Sequence, residues 1–440
     1  MTRALRPRPT LRGWVIGIAG VAALAAAAWL GRVDLLIVGL MLTLSPLVGM
    51  IALAVDRPWL SVSRSFSPEI VATGQEAQAT LVVRNEASRA TPATLWRDTV
   101  HAGLTAPPAA PLPWLAEHGR ATRSRPDTTT LRYRIGTQHR GVYDIGPMLL
   151  SRIDPFGLAI TEYAVGTSRP LLVTPPVAPL SRGDLDTATS DGTEQELLRH
   201  SIPSADELIA REYRTGDPLR RVHWRATARH DKLMVRQEEQ RSNPNAWLVF
   251  DTVRSAQHER RVGHPHSRNP VFEDAVSLAA SVGTHLLDEG FLVNVVETGP
   301  AQFTGRTGAG RTGAVGSASA AFDLPGGDQL LLASLASVRQ SEREGTDYVG
   351  IVSDALRRGG HAVPMFLILA DGDLNDLAAL ATLRHQCEPA VAFLFGPARV
   401  LAEGRLADEG WTCVPVDEGA RPEDIWRDAA RRHAVAMHGG

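Results

Sequence analysis

The chain opens on two uninterrupted apolar runs, residues 14–30 and 35–55, separated only by Gly31, Arg32, Val33 and Asp34. Crossing a hydrocarbon core of roughly 30 Å takes about 20 helical residues. Both runs therefore read as membrane-spanning helices, and so short a link makes them a hairpin buried in the lipid bilayer. Arg3, Arg6, Arg8 and Arg12 precede the first run without an acid, whereas Asp34 balances Arg32 in the link. The positive-inside rule places the tail in the cytoplasm, and an even number of crossings returns the rest of the chain to that side. A secretory leader has a similar start, but no small-x-small cleavage site precedes the second run. Pro46 falls inside that run, where neighbouring groups can re-satisfy the carbonyl it frees.

Beyond Pro58 the period changes. Leu131, Tyr133 and Ile135 alternate with Arg132, Arg134 and Gly136, the pattern of a half-buried strand. Residues 78–83 and 171–173 are further apolar or β-branched runs between turn residues, and no helix-period stretch interrupts residues 58–175. An all-β sandwich is expected there. A connector rich in Asp, Ser, Thr, Gly and Pro follows at 176–204, expected to wrap the surface or move freely. From residue 246 apolar strands (247–250, 291–296, 365–370, 390–395, 411–416) alternate with helix-period segments (271–287, 329–338, 348–358, 374–384, 422–436). That alternation predicts a C-terminal α/β domain with a parallel sheet covered on both faces. The Gly, Ala and Ser tract at 299–327 looks too poor in large side chains to build a core, and its glycines at 304–313 read as a flexible linker.

Composition changes this picture little. The net charge of −2 gives no overall bias toward nucleic acid or anionic lipid. Lys232 is the only lysine among 46 basic residues, a skew that looks like codon usage and discounts local arginine richness. Cys387 and Cys413 sit in apolar segments and read as small buried hydrophobes of a reducing compartment.

The most distinctive string is R-E-Y-R-T-G-D-P-L-R-R-V-H-W-R-A-T-A-R-H-D-K-L-M-V-R-Q-E-E-Q at 211–240. Gly216 allows a tight turn, Asp217 suits an N-cap, and Pro218 suits a first helical position. A short helix to about Arg229 is expected, then a strand near 233–235. This string resembles the signature of the domain of unknown function 58 family, carried by Arg211, Tyr213, Gly216, Asp217, Arg220, His223, Trp224, Ala228 and Arg229. Arg140–Tyr143 and Asp154–Leu158 resemble the family's upstream β segment. With the paired N-terminal helices, the resemblance extends over nearly the whole chain. It implies a von Willebrand factor A-like, Rossmann-like domain at the C-terminus and association with MoxR-type AAA ATPases. It implies no reaction.

Ligands in open α/β sheets bind beyond the carboxyl ends of strands, which directs attention to Asp251 and Asp371. The von Willebrand A-like pattern places a divalent ion there on oxygen donors. Asp251 and Ser255 match the first loop, with Val253 where a hydroxyl belongs; Thr346 and Asp371 fit the second and third loops. The expectation is a degenerate Mg2+ site or its remnant, with Asp251 and Asp371 capping loops instead.

Other constellations are weaker. His258, His264 and His266 lie among arginines without zinc spacing and read as a solvated loop. No Gly-x-Ser-x-Gly elbow and no phosphate loop appear. Residues 211–241 carry nine basic and five acidic residues, and the acids interrupt any phosphate-facing stripe. The organisation expected is a basic tail and two spans (1–57), a β-sandwich (58–175), a connector (176–204), the signature segment (205–245) and the α/β domain (246–440). The expected function is a non-enzymatic adaptor, multi-pass in the cell membrane, with its soluble region in the cytoplasm, engaging protein partners and not nucleic acid. Two alternatives stand beside it: a hydrolase or transferase acting near Asp217 and His223, and an RNA-binding membrane protein.

Overall fold

A computed structural model describes residues 3–4, 6–55, 57–182, 210–212, 227–228, 232, 234–236, 244–254, 269–307, 311–312, 319–341, 348–359, 363–370, 377–396 and 399–438. The chain divides into two compact units, Met1–Pro176 and Val177–Gly440.

In the first unit a tail with β1 (Arg3–Ala4) and β2 (Arg8–Pro9) leads into α1 (Leu11–Leu30) and α2 (Val33–Val55). Both helices are long and apolar enough to cross a membrane. Thr10 caps α1 by accepting from the Gly13 N–H at 3.1 Å. Gly31 stops it with φ 65° and an N–H donated to the Ala27 carbonyl, a left-handed cap that turns the chain toward α2. The two helices cross on small residues. A Cβ on Gly20 would lie 2.6 Å from the Thr43 nitrogen, and one on Gly39 2.8 Å from that of Leu24, a closeness that larger side chains would prevent. Pro46 has no N–H for the Leu42 carbonyl, and the Ser45 hydroxyl donates to it instead at 3.1 Å.

Eleven strands follow: β3 (Leu60–Ser67), β4 (Ile70–Ala72), β5 (Glu76–Asn85), β6 (Leu95–Asp98), β7 (Leu104–Thr105), β8 (Ala110–Pro111), β9 (Thr128–Thr137), β10 (Gly141–Ile145), β11 (Met148–Ile153), β12 (Ala159–Val165) and β13 (Arg169–Thr174). One antiparallel sheet has the order β3-β5-β9-β7. A second runs β1-β12-β11-β6-β8, with β2 also on β12, and a third runs β10-β13-β4. The alternation at 131–136 is the register of β9, with Leu131, Tyr133 and Ile135 buried and Arg132 and Arg134 exposed. The tail strands are a departure from expectation: Arg3 and Ala4 pair with Ala164 and Tyr163, and Arg8 and Pro9 with Ile160 and Ala159.

The sandwich interior holds a polar clamp. Arg64 of β3 and Asp98 of β6 face each other across the two sheets with side chains 2% and 1% exposed. The guanidinium is bidentate, Nε to Oδ2 at 2.9 Å and Nη2 to Oδ1 at 2.5 Å. Its Nη1 donates to the Thr167 carbonyl at 2.6 Å, and the Tyr133 hydroxyl donates to Asp98 Oδ2 at 2.6 Å. Burial, reinforced by the Asp98 charge, pushes the Tyr133 phenol far above its ordinary range. Gly146 makes room for the clamp, since a Cβ there would sit 2.4 Å from Arg64 Nη1.

The second unit starts with residues that pack onto it: the Ala178 N–H donates to Ser281 Oγ at 3.0 Å, and Trp426 Nε1 donates to the Ser181 carbonyl at 3.3 Å. The start of the expected surface connector is thus fastened down, while 183–204 lie outside the described residues. β14 (Ala210–Glu212) pairs antiparallel with β15 (Met234–Arg236). The main body comprises β16 (Asn245–Phe250), α3 (Pro270–Asp288), β17 (Leu292–Glu297), β18 (Arg306–Thr307), β19 (Arg311–Thr312), β20 (Ala320–Phe322), α4 (Gly327–Ser337), α5 (Tyr348–Gly359), β21 (Val363–Leu369), α6 (Leu377–Ala381), β22 (Cys387–Leu394), α7 (Arg399–Asp408), β23 (Thr412–Pro415) and α8 (Pro422–His438). Its sheet order is β19-β18-β20-β17-β16-β21-β22-β23. The segment from β17 to β23 is parallel, and β20 pairs antiparallel with β17. Phe272 of α3, Leu331 of α4 and Trp426 of α8 cover one face together with Phe250. Val352 of α5, Leu380 of α6 and Leu406 of α7 cover the other with Trp247 and Val249.

Four expectations change. The sheet is mixed rather than wholly parallel. The Gly, Ala and Ser tract supplies Phe303 and Phe322 to the core, so two aromatic residues compensate for many small ones, and Arg306–Thr307 pairs antiparallel with Arg311–Thr312. Helix α7 has no counterpart among the expected elements because only Ala402 and Leu406 of it are buried, while Val400 and Leu401 blur its stripe by facing solvent. The helix expected at 374–384 is seen from Leu377 and tightens to a 3-10 turn over Thr382–Gln386. Cys387 and Cys413 are buried thiols, each pushed up to about 12 by desolvation.

Removing one partner of the clamp leaves a buried charge without its counter-ion. Asp98→Ala is expected to cost about 3–5 kcal/mol in urea unfolding of the detergent-solubilised chain, whereas Arg64→Met combined with Asp98→Leu should cost much less.

Candidate functional site

The site builds up at the carboxyl edge of the second unit's sheet. β16 is apolar and buried from Ala246 to Phe250, as a parallel strand covered on both faces must be, and the residue that follows it is the acid Asp251. The Asp251 N–H continues the sheet by donating to the Ile368 carbonyl at 2.9 Å. Its side chain then collects donors from three separate loops. Oδ1 accepts from Thr298 Oγ1 at 2.7 Å, in the loop after β17, and from the Val253 N–H at 3.2 Å; Oδ2 accepts from the Ala370 N–H at 3.2 Å, after β21. Asp251 is 3% exposed.

Thr298 and Thr252 knit the loops together. Thr298 Oγ1 also accepts from the Thr252 N–H at 3.1 Å, and Thr252 Oγ1 accepts from the Gly299 N–H at 3.2 Å. A segment after α4 joins them: the Ser341 N–H donates to the Thr252 carbonyl and the Arg254 N–H donates to that of Ser341, both at 2.9 Å. A Cβ on Gly299 would lie 2.8 Å from Ser341 Oγ and 2.9 Å from Thr252 Oγ1, so this crossing requires glycine.

Glu297, the last residue of β17, pairs in register with Phe250 and is 5% exposed. Its Oε2 accepts from the Gln302 and Phe303 N–H groups at 2.5 and 3.0 Å. Oε1 has no hydrogen-bond partner among the described residues. Burial raises its pKa to about 7 against the pull of those two N–H donors. Glu297, Thr298, Gly299 and Ser341 are not among the residues the sequence pattern points to, although an acid, a hydroxyl and a glycine at the end of an apolar strand were the available signal.

Ser255, Thr346 and Asp371, the donors expected with Asp251, lie outside the described residues, and no group of three His, Cys, Asp or Glu able to hold a metal occurs among the described residues. Among the described residues Asp251 alone belongs to the expected donor set. Val253 is buried where a hydroxyl would be needed, and both Asp251 oxygens already accept protein N–H or O–H groups. Asp251 acts here as a brace among loops.

Of the signature residues, Arg211 lies in β14 and Ala228 is exposed in a helical turn with Thr227, whose hydroxyl accepts from the N–H of buried Met234 at 3.0 Å. Tyr213, Gly216, Asp217, Arg220, His223, Trp224 and Arg229 lie outside the described residues, as do His258, His264 and His266.

Residues 209–300 match the family model described as "Protein of unknown function DUF58", a span that contains the distinctive string and reaches past Asp251 to Gly299. Two structures of a Pyrococcus furiosus CARDB domain align with part of the chain. The crystal structure, a complex with di-metal ions, is 14% identical with a TM-score of 0.18, over 27% of this chain and 90% of that one. The solution structure is 15% identical with a TM-score of 0.16, over 26% and 97%. A von Willebrand factor type A protein from Catenulispora acidiphila is 12% identical with a TM-score of 0.26, over 46% of this chain and 44% of that one. Similarities of this size leave the fold to be read from the sheet topology itself. The curated proteins yield no match.

A carboxyl group that holds its proton more tightly when folded favours the native state at low pH. Glu297 should therefore withdraw stability as pH rises from about 4.5 to about 7, and Glu297→Gln should flatten this part of the stability–pH curve. Millimolar Mg2+ or Mn2+ is expected to leave the melting temperature unchanged, since an ion specific to the native state would raise it. Asp251→Ala should cost on the order of 3 kcal/mol by stranding its donors.

Proposed function

We propose that this chain, whose residues 209–300 carry the DUF58 segment, is a non-enzymatic adaptor anchored in the cell membrane by a helical hairpin, with both soluble units in the cytoplasm. The observation that carries this reading is the pairing of the tail strands β1 and β2 with β12. The chain leaves the sandwich edge at Thr10 and returns to it at Leu60, so its two apolar helices begin and end on one side of any membrane they cross. Arg6, Arg8 and Arg12 lie on the tail side, and the far turn carries Arg32 ion-paired to Asp34 at 3.2 Å, which orients the tail inward.

The binding role rests on the resemblance of the signature segment, which lies within the matched residues 209–300. A MoxR-type AAA ATPase is the partner implied by the resemblance of the signature segment, and the surface proposed for it is carried by Arg211, Tyr213, Gly216, Asp217, Arg220, His223, Trp224, Ala228 and Arg229.

A green fluorescent reporter fused after Gly440 should fluoresce and an alkaline phosphatase fused there should stay inactive; an active phosphatase would refute the orientation. Cross-linked affinity purification from solubilised membranes should recover the ATPase with wild type and lose it with Asp217→Ala or His223→Ala variants that melt normally. Recovery undiminished by both substitutions would remove this surface from the proposal.

A further inference from the structure

Beside the helices stands one part of the sandwich that no role yet explains, the turn joining β11 to β12. It is a rigid turn. Buried Asp154 accepts from the Ala159 N–H at 2.5 Å through Oδ1 and from the Phe156 N–H at 3.0 Å through Oδ2, and Gly157, at φ +71°, donates its N–H to the Asp154 carbonyl at 2.9 Å. Yet this fixed loop turns apolar side chains outward. Phe156 is 79% and Ile153 52% exposed, and Pro155 between them is exposed too. A rigid turn that displays an aromatic ring to water gains nothing for folding.

The turn is fastened to both helices. The Thr10 hydroxyl donates to the Gly157 carbonyl at 2.6 Å and the Thr10 N–H to that of Leu158 at 2.9 Å. On α2, a Cβ at Gly49 would lie 3.3 Å from the Asp154 carboxylate, and the Tyr163 hydroxyl donates to the Leu53 carbonyl. From Gly49 the helix runs on to Val55, about 9 Å further at about 1.5 Å per residue. Those last turns are still apolar and outward-facing, with Ile51 63% and Val55 79% exposed. Counting about 20 residues from Leu35 brings the edge of the hydrocarbon close to Ala54. The turn beside Gly49 therefore lies at the depth of the boundary between headgroups and acyl chains, a zone that takes apolar groups about 5–10 Å deep. Exposed Arg6, Arg8, Arg12 and Arg57 surround this end of the hairpin, and Trp59 beside them is 69% exposed. Arginines at phosphate level with an indole among them are what an interfacial belt contains.

We propose that the β11–β12 turn is a second membrane attachment: Phe156, flanked by Ile153 and Pro155, inserts into the boundary of the leaflet that faces the sandwich, while Arg8, Arg12 and Arg57 meet lipid phosphates. The inference rests on the hairpin reading. It makes the sandwich a seated body rather than one hanging from a tether, because lipid contacts it on a third element besides α1 and α2.

The test uses the full chain in vesicles of phosphatidylcholine and phosphatidylglycerol, with an environment-sensitive fluorophore on Phe156→Cys or, separately, on Leu44→Cys in mid-α2. Unsubstituted chain, whose two cysteines are buried, controls for labelling. The label at 156 should lose most of its emission to lipid carrying a doxyl group near the headgroup, less to mid-chain doxyl lipid, and little to aqueous iodide. The label at 44 should respond most to mid-chain doxyl. Iodide quenching at 156 without lipid quenching, with 44 still deep, would overturn the insertion and leave the anchor standing; a protein partner covering the turn would likewise give no lipid quenching at 156 and would overturn the insertion alone. Absence of lipid quenching at both positions would overturn the anchor and the insertion with it.

Discussion

On the proposed membrane-anchored reading, backbone groups in hydrocarbon must find their partners within the segment that crosses it, and the two apolar helices of the first unit meet that constraint. Between β2 and β3, two strands of one compact unit, lie two helices with apolar, outward-facing surfaces. Their internal details satisfy the same demand. Ser45 supplies the donor that Pro46 lacks, Gly31 closes α1 at the reversal, and Gly20 and Gly39 let the backbones approach closely. The tail strands on β12 then tie the entrance of the hairpin to the domain at its exit.

The two units solve their polar problems differently. In the sandwich a full ion pair is enclosed, with Arg64, Asp98 and Tyr133 satisfying one another across the sheets. Such a pair contributes little net stability over apolar packing, but it penalises any arrangement of the sheets that separates its members. In the α/β unit the polar groups gather at the carboxyl edge, where strand ends release backbone donors. Asp251 unites the loops after β16, β17 and β21 in the place where the von Willebrand A-like pattern would put a cation. Three protein donors there do the structural work of holding loops together.

Much of this is legible in the order of residues alone, and for a clear reason: apolar periodicity reports burial, and burial is what forms helices and strands. The two apolar helices, the alternation in β9, and β16, α3, β17, α4, α5, β21, β22, β23 and α8 appear with ends shifted by a few residues, because ends are set by caps and neighbours rather than by periodicity. Where periodicity is weak the expectation fails. The short tail strands carry arginine and proline, α7 buries only two side chains, and β20 sits in a tract of small residues whose two phenylalanines matter only once they reach the core.

The candidate site divides along the same line. Asp251 was visible because an acid ending an apolar strand marks a sheet's carboxyl edge. Its long-range partners, Thr298 and Ala370, come from segments far apart in the chain, as do Gly299 and Ser341, which hold neighbouring Thr252, and no local pattern says which hydroxyl will meet which carboxylate. By itself the sequence determined the order of elements and the apolar faces they bury, since these depend on neighbours a few positions away. Only the tertiary structure decided that Arg64 meets Asp98, that the tail pairs with β12, and that Asp251 is held by three loops. Those are meetings between distant residues, and their geometry exists only after the chain has closed on itself.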